Sequence, residues 1–175
     1  RPTMDFPENN NYIHVLSDGP YISEENIIET AYREIITTAD KFVYIMTPYL
    51  ILDEFMIQAI CMAVRKGVDV RIITPKIPDK KSVYMLTKYN YGQLLKAGAR
   101  IYEYTPGFIH SKVVLSDSCA MVGTVNMDYR SFYFHFECGV WFTSEETIKE
   151  MQTHFEEILK DSERIDTNVW KKRGV

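Results

Sequence analysis

Three candidate catalytic residues, His110, Lys112 and Asp117, have side chains and a spacing that suit chemistry at phosphorus. The segment 109–116 is rich in β-branched residues, which predicts a strand. Residues two apart on a strand face the same side, so the His110 imidazole and the Lys112 ammonium would lie together. An imidazole can attack phosphorus while an ammonium holds the phosphate charge. Asp117 is offset by an odd number of residues, so we expect its carboxylate to face away and to orient or brace the other two.

A second set of polar residues follows this segment. Gly123, Thr124 and Asn126 come after a short apolar run, and Glu137 follows a stretch of aromatic side chains. With these residues the chain resembles the phospholipase D superfamily, in which a His, a Lys and an Asp at the same spacing precede Gly, Ser or Thr, a variable residue and Asn. The segments 123–132 and 135–137 are most similar to bacterial cardiolipin synthases, and the resemblance extends over residues 17–162.

The resemblance implies a role for each of these residues. His110 would be the nucleophile that forms a phosphohistidine, or the general acid that assists a second histidine. Lys112 and Asn126 would bind phosphate oxygens, and the Thr124 hydroxyl would lie near the phosphate. Glu137 would accept the hydrogen of the histidine Nδ1 and leave Nε2 free to react.

The family resemblance also implies an activity and its partners. A cardiolipin synthase transfers a phosphatidyl group from one phosphatidylglycerol to a second one and releases glycerol. This chemistry needs a second histidine, and one motif is present here, so we expect a second half from a longer parent chain or from a second copy of this chain. We expect no cofactor and no metal, because lysine and asparagine supply the positive field and no His, Cys, Asp and Glu cluster has ligand spacing.

Two other classes of function stay open. One is a hydrolytic phospholipase D or a nuclease of the same superfamily, with water as the acceptor. The net charge of −4 argues against a nucleic-acid partner, because phosphate backbones favour a basic protein surface. The other class is a non-catalytic interaction domain that has kept the fold. The presence of His110, Lys112, Asn126 and Glu137 argues against it, since a degenerate copy usually lacks one of them.

Length and composition predict one folded domain. The chain has 175 residues, of which 46% are hydrophobic and 25% charged, as in ordinary soluble globular domains. No apolar run approaches the ~18 residues needed to span a bilayer. From the resemblance we expect a piece of a bacterial membrane protein whose anchoring helices precede this segment, with the domain facing the cytoplasm and working at the membrane surface. Cys61, Cys119 and Cys138 lie in apolar contexts, which predicts buried, reduced thiols.

Strands and helices alternate along the chain, which predicts an α/β fold, a mixed β-sheet with helices on both faces; the family resemblance implies the phospholipase D-like α/β sandwich. Helices are predicted from about residue 23 to 39, opened by Ser23, Glu25 and Asn26, and over 53–65, 81–96 and 144–160. Strands are predicted over 41–46, 68–74, 100–104, 109–115, 119–122 and 139–142. Residues 1–12 have the composition of a linker, 13–165 form the domain, and 166–175 would be a truncated tail.

Three other features have more than one interpretation. The tyrosines around the predicted helix 81–96 favour core packing, with a rim at a membrane surface as the alternative. The apolar segment 127–134 would line an acyl-chain groove or pack on the missing half. Arg130 within it would pair with Asp128 or Glu137, and His135 is expected to have a surface or packing role.

Overall fold

The computed structural model describes residues 10–22 and 26–172 of the protein. Strands and helices alternate over most of this length, as the sequence predicts. The strands in these ranges are β1 (Ile13–Asp18), β2 (Phe42–Met46), β3 (Leu50–Ile51), β4 (Asp69–Pro75), β5 (Arg100–Tyr104), β6 (Val113–Ser116), β7 (Ala120–Gly123), β8 (Met127–Asp128), β9 (Glu137–Phe142) and β10 (Ser162–Ile165). The helices are α1 (Ile27–Thr38), α2 (Glu54–Lys66), α3 (Lys81–Ala97), α4 (Tyr129–Phe134), α5 (Glu145–Lys160) and α6 (Thr167–Lys172).

Eight of these strands form one mixed sheet in the order β1-β9-β7-β6-β2-β4-β5-β10. The neighbours β2, β4 and β5 run parallel to one another, and the other neighbouring pairs of this sheet are antiparallel. The short strands β3 and β8 form a separate parallel pair, with Leu50 opposite Met127. The predicted fold class, a mixed sheet flanked by helices, is therefore confirmed.

Both faces of the sheet are covered by helices, and the central strand β2 shows how. Val43 and Ile45 pack in a core with the buried faces of α1, α2 and α3. Tyr44 and Met46 pack in a second core with α5, where the Tyr44 and Phe155 rings stack with their centroids 4.6 Å apart. A strand that is buried on both faces is apolar nearly throughout, which is why β2 has no charged side chain. Burial on both sides holds β2 in one position, and with it the start of the loop that follows Met46.

The helix ends follow from local capping residues. Asp53 accepts a hydrogen bond of 2.8 Å from a backbone amide in the first turn of α2, and Gly67 ends that helix in the left-handed conformation at φ 97°. Asn26 caps α1 in the same way, at 2.9 Å. Ser23 and Glu25, which were also predicted to open α1, lie outside the described residues. No helix in the described part of the chain is long and apolar enough to cross a bilayer.

The ends of the domain differ from the prediction. The edge strands β1 and β10 pair with β9 and β5, and both were missed because they are short and carry mostly exposed or half-exposed side chains. Segment 166–172, expected to be a tail, contains α6, whose Trp170 Nε1 donates a hydrogen bond of 2.8 Å to the Lys88 carbonyl of α3. Residues 1–9 and 173–175 lie outside the described part of the chain. The folded domain therefore extends past residue 165, at least to Lys172.

The expectation of three buried cysteines was wrong for one of them. Cys61 and Cys119 are buried, but Cys138 is exposed. Cys138 lies on β9 two residues before Val140, which is opposite Val122 of β7, and both valines are more than a third exposed. Apolar neighbours in the sequence did not ensure burial, because this part of the sheet face is open to solvent.

Candidate active site

The candidate site residues lie at one edge of the sheet, where several strand ends meet. β2 ends at Met46, which is opposite Val113 at the start of the antiparallel β6. Val113 is in turn opposite Val122 of β7, and Gly123 is opposite Gly139 of β9. The chain just before β6, just after β7 and at the start of β9 therefore converges on this edge. These segments carry His110, Lys112, Thr124, Asn126 and Glu137.

His110 and Lys112 lie in an irregular segment that precedes β6, which begins only at Val113. The prediction that both residues stand on one strand face was therefore wrong, because the regular pairing with β2 ends before them. They are joined in another way, since Lys112 Nζ donates a hydrogen bond of 2.7 Å to the His110 carbonyl oxygen. The exposed His110 ring lies 5.6 Å from the Phe108 ring, and Phe108 lies 6.2 Å from the Tyr49 ring, measured between centroids. An aromatic wall thus borders the imidazole.

Lys112 is a partly buried cation that is influenced by two acids, Glu137 and Asp128. Burial lowers the pKa of the Lys112 ammonium, and the negative charges of Glu137 and Asp128 oppose that effect. An ammonium that has lost part of its hydration attracts a phosphate oxygen more strongly than one in bulk water does. Lys112 is therefore well suited to hold a phosphate at this edge.

Glu137 and Thr124 are bound to each other. The Thr124 hydroxyl donates a hydrogen bond to Glu137 Oε2 and accepts one of 3.1 Å from the Cys138 amide. This contact depends on a close approach of β7 and β9, which requires Gly123, because a Cβ there would lie 2.3 Å from the Cys138 carbonyl oxygen. Glu137 thus has one carboxylate oxygen fixed by the protein, and its side chain is only 10% exposed.

His135 extends this network, and the sequence did not single it out. His135 Nδ1 lies 3.5 Å from Glu137 Oε1, and Arg130 Nε donates a hydrogen bond of 3.1 Å to His135 Nε2. Arg130 therefore reaches Glu137 through His135, rather than through the direct ion pair that we expected. A signal was available, since His135 and Glu137 are two residues apart and His135 is extended, at φ −114° and ψ 152°. That spacing places both side chains on one side of the chain.

Asn126 is held by the start of α4. Its Nδ2 donates a hydrogen bond of 3.0 Å to Ser131 Oγ. Ser131 in turn donates to both carboxylate oxygens of Asp128, from its amide at 2.8 Å and from its hydroxyl at 3.3 Å. Asn126 Oδ1 is buried and has no hydrogen-bond partner among the described residues. Leaving a buried polar atom unpaired costs about 1–3 kcal/mol, a cost that this structure bears at Asn126.

The loops after β2 and β7 are tied together by Thr47, a buried residue that sequence reasoning did not propose for the site. Its hydroxyl accepts a hydrogen bond of 3.1 Å from the Met127 amide and donates one of 2.8 Å to the Tyr49 carbonyl. The Tyr49 hydroxyl donates to Asp79, and burial together with that carboxylate raises the pKa of Tyr49 to about 12. Tyr49 therefore stays neutral at physiological pH and adds no negative charge beside a phosphate.

Asp117 lies at the opposite end of β6 from His110. Its Oδ1 accepts hydrogen bonds from the amides of Asp40 at 3.0 Å, Lys41 at 2.9 Å and Phe42 at 3.4 Å. Burial alone would raise the pKa of Asp117, but these amides outweigh it and hold the pKa below its usual range. The position suits the bracing role that we expected, and it does not bring this carboxylate to the edge that carries His110.

An open groove of about 460 Å³ adjoins Asp128. Its lining comes from β3, β8 and α4, and consists of Ile51, Asp128, Tyr129, Arg130 and Phe134. Tyr129 is 50% exposed and Phe134 61%. The apolar segment 127–134 therefore does present aromatic surface beside the site, as both interpretations of that segment require.

The described residues contain no candidate metal site, since no group of three His, Cys, Asp or Glu side chains among residues 10–22 and 26–172 could hold a metal ion. Lys112 supplies positive charge at this edge. Metal independence of the reaction stays a prediction.

The fold and the site together define an α/β domain of the phospholipase D type. The family model described as "Cardiolipin synthase, PLD-like domain" matches residues 32–159, and the chain belongs to this family of phospholipase D-like domains. The expected membership of the phospholipase D superfamily is therefore confirmed.

Curated relatives and solved structures agree with this assignment. An uncharacterised protein of Streptococcus mutans is 44% identical over 167 residues, which cover 95% of this chain and 36% of the relative. A cardiolipin synthase of a Geobacillus species is 37% identical over 162 residues, which cover 92% of this chain and 32% of the relative. The chain thus spans about a third of the length of these relatives. Nuc from Salmonella typhimurium, a phospholipase D family member, has a TM-score of 0.77 at 15% identity, covering 90% of this chain and 100% of that one, which shows a common fold.

Proposed function

We propose that this chain is one catalytic half of a bacterial phosphatidyltransferase of the cardiolipin synthase type. The reaction would convert two molecules of phosphatidylglycerol into cardiolipin and glycerol. The observation that carries the proposal is the convergence of His110, Lys112, Thr124, Asn126 and Glu137 on one edge of a phospholipase D-type sheet. The Geobacillus relative that is named as a cardiolipin synthase supports the lipid substrate.

The reaction would proceed in two displacements at phosphorus. In the first, His110 Nε2 or its counterpart in a second half attacks the phosphorus, an N–P bond forms, and the P–O bond to the departing glycerol breaks. The other histidine donates its proton to the glycerol oxygen. In the second step that histidine takes the proton from a hydroxyl of the second phosphatidylglycerol, whose oxygen displaces the phosphohistidine nitrogen.

The protein would stabilise the phosphate charge and orient the histidine throughout. The Lys112 ammonium and the Asn126 amide would bind the non-bridging oxygens, where charge increases in the transition state. Glu137 is mostly shielded from solvent and interacts with the charge of Lys112, and it would accept the Nδ1 hydrogen of His110 in place of its present neighbour, His135 Nδ1.

The second histidine would come from a second half of the site. The other histidines of this chain are His14, His135 and His154, and the sequence around them lacks the lysine and asparagine of the motif. The relatives are about three times as long as this chain, which leaves room for another such unit. In a parent chain of that kind the reaction would take place at the bacterial cell membrane, because both substrates are membrane lipids.

The test is the His110→Ala variant of the full-length parent protein, with His154→Ala as the matched control. His154 is exposed on α5, where its Nδ1 lies 3.9 Å from Glu157 Oε2 of the same helix. Because His154 contacts none of the site residues, its loss should leave the reaction unchanged. We expect His110→Ala to lower cardiolipin formation from phosphatidylglycerol by several orders of magnitude, on the order of 10³ or more. Near-normal turnover of that variant would contradict the proposal.

The reaction products distinguish phosphatidyl transfer from hydrolysis. Transfer yields cardiolipin and glycerol from phosphatidylglycerol, whereas a hydrolytic phospholipase D yields phosphatidic acid and glycerol. A parent protein that makes phosphatidic acid alone would assign the chain to the hydrolytic alternative.

A further inference from the structure

One surface beside the site combines lysines with exposed apolar side chains. It consists of the loop between β4 and α3 and the outward side of α3, and we call it the α3 face: Ile77, Lys80, Lys81, Met85, Leu86 and Tyr89. The four apolar members are between 51% and 67% exposed. On the helix, positions 81, 85, 86 and 89 follow the spacing of a single stripe. The inward side of α3 is buried through Thr87, Asn90, Tyr91 and Leu94, so the outward stripe is not part of the core.

The α3 face is basic in a chain that is acidic as a whole. Residues 76–96 contain five lysines and a single acid, Asp79, whereas the complete chain has a net charge of −4. Asp79 accepts the hydrogen bond of the Tyr49 hydroxyl, and Lys76 pairs with Glu163 at 2.6 Å. Lys80 and Lys81 are exposed and extend the positive charge to the first turn of α3.

The α3 face is continuous with the candidate active site. Asp79 in its loop contacts Tyr49, whose ring faces Phe108, and Phe108 faces the His110 ring. Further along α3, Thr87 Oγ1 accepts a hydrogen bond of 3.2 Å from the Leu50 amide. The inward side of α3 thus packs on the loop after β2, and the loop part of the α3 face borders the edge where His110 lies through the contact of Asp79 with Tyr49.

We propose that the α3 face docks the protein on a bilayer of anionic phospholipid and so presents the edge that carries His110 to lipid headgroups. This inference rests on the proposed function, since a lipid substrate has to be reached in its membrane. Lysines with apolar side chains between them suit this partner, because the ammonium groups attract anionic headgroups while Met, Leu and Tyr enter the boundary of the acyl chains. A protein partner fits less well, because lysine is depleted at protein–protein interfaces.

The test is sedimentation of the 175-residue chain with vesicles of phosphatidylglycerol mixed with phosphatidylcholine, compared with phosphatidylcholine alone. We expect binding to the mixed vesicles that weakens at high salt. The double variant Lys80→Glu with Lys81→Glu should lower the partition coefficient about tenfold or more. The reason is that each lysine near an anionic surface adds its own share of the free energy of membrane binding. Acidic residues at the start of α3 favour the helix, so this loss would not arise from unfolding.

A second pair of substitutions tests the apolar part of the face. Met85→Ser with Leu86→Ser should also lower binding to the mixed vesicles, by roughly tenfold, through lost burial of apolar surface. The matched control is Phe55→Ser with Met62→Ser on α2, since these residues are 67% and 61% exposed. Lys149→Glu with Lys160→Glu on α5 is the control for charge, because both lysines are exposed.

The proposal is overturned if the chain does not bind the mixed vesicles, or if the control pairs lower binding as much as the α3 pairs do. It is also overturned if the α3 pairs abolish self-association of the chain without vesicles, because the face would then hold a second copy. His110→Ala should bind vesicles like the unchanged chain. Lost vesicle binding in the α3 variants of the 175-residue chain, together with an unchanged parent that makes no cardiolipin, would refute the proposed function alone. Normal vesicle binding of those variants, together with an active parent, would refute the docking surface alone.

Discussion

At the scale of single residues, the partly buried charge of Lys112 lowers the free energy of unfolding of the domain. Its ammonium is partly buried, and burial lowers its pKa although Glu137 and Asp128 oppose the shift. A lysine whose pKa is lower in the folded protein than in the unfolded chain costs free energy of folding wherever it is protonated in both states. Under the proposed function, this ammonium would bind a phosphate oxygen of the substrate.

We predict that Lys112→Met lowers phosphatidyl transfer without weakening the fold. The loss of a cation at the phosphate should reduce the rate roughly a hundredfold or more, while removal of the desolvated charge should leave the free energy of unfolding unchanged or raise it. The activity is measured in the full-length parent, and the stability by urea unfolding of the chain at neutral pH. The exposed Lys149→Met serves as the control, and a marked loss of stability in Lys112→Met alone would show that this residue is structural.

At the scale of elements, β6 links the site to the start of β2. Its first residue follows Lys112, and Asp117 directly after its last residue holds the amides of Asp40, Lys41 and Phe42. Because β2 and β6 are neighbours in the sheet, this contact fixes one end of the pair while the other end carries the site. Asp117 would thus act on the reaction only through the position of β6.

We predict that Asp117→Asn destabilises the domain at neutral pH but leaves most of the transfer activity. The pKa of Asp117 is lower in the folded protein, so its contribution to stability is fully present above the unfolded pKa of about 3.9 and is lost as the pH falls through the folded pKa. We expect a loss of about 1 kcal/mol at neutral pH, after allowance for solvent screening.

The measurement is urea unfolding over a pH series, in which the difference between Asp117→Asn and the unchanged chain should vanish in acid. Asp40→Asn is the control, because Asp40 forms an exposed ion pair with Lys66 and should contribute little. A stability difference that persists below the folded pKa would contradict the pKa argument, and a complete loss of transfer would give Asp117 a direct role.

At the scale of the whole molecule, the site lies on an open edge rather than in a closed pocket. His110 is exposed, and the neighbouring groove is bordered by the exposed rings of Tyr129 and Phe134. A two-step displacement needs a second histidine as well as cover from water. Both needs would be met by a second half placed over this edge, either from a longer chain or from a second copy related by a two-fold axis.

We predict that the isolated chain is inactive as a monomer. If two copies complete one site, activity against a soluble phosphodiester should appear only at concentrations where sedimentation detects a dimer. An excess of His110→Ala chain should then suppress the activity of unchanged chain, because each mixed dimer lacks one histidine. Robust turnover by a strictly monomeric species would show that one motif is sufficient.

The sequence predicted most of the helices and strands of the fold, and it missed those with weak local signals. β2 is an apolar run and β4 contains three β-branched apolar residues, while α2 and α3 end at Gly67 and Gly98 in the left-handed conformation, so composition and capping predicted these elements. The edge strand β1 and the helix α6 were missed, because their stability comes from pairing with β9 and from the contact of Trp170 with α3. Such contacts join residues far apart in the chain and leave no local pattern.

The same division holds for the site. Residue types and spacing singled out His110 and Lys112, because a nucleophile beside a cation suits chemistry at phosphorus, and the resemblance to the phospholipase D superfamily added Asn126 and Glu137. Only the tertiary structure decided that His110 and Lys112 precede β6 rather than lie on it, and that His135 stands between Arg130 and Glu137. The physical reason is that a motif specifies which groups are needed, whereas strand register and helix packing specify where the regular backbone ends and which side chains face one another.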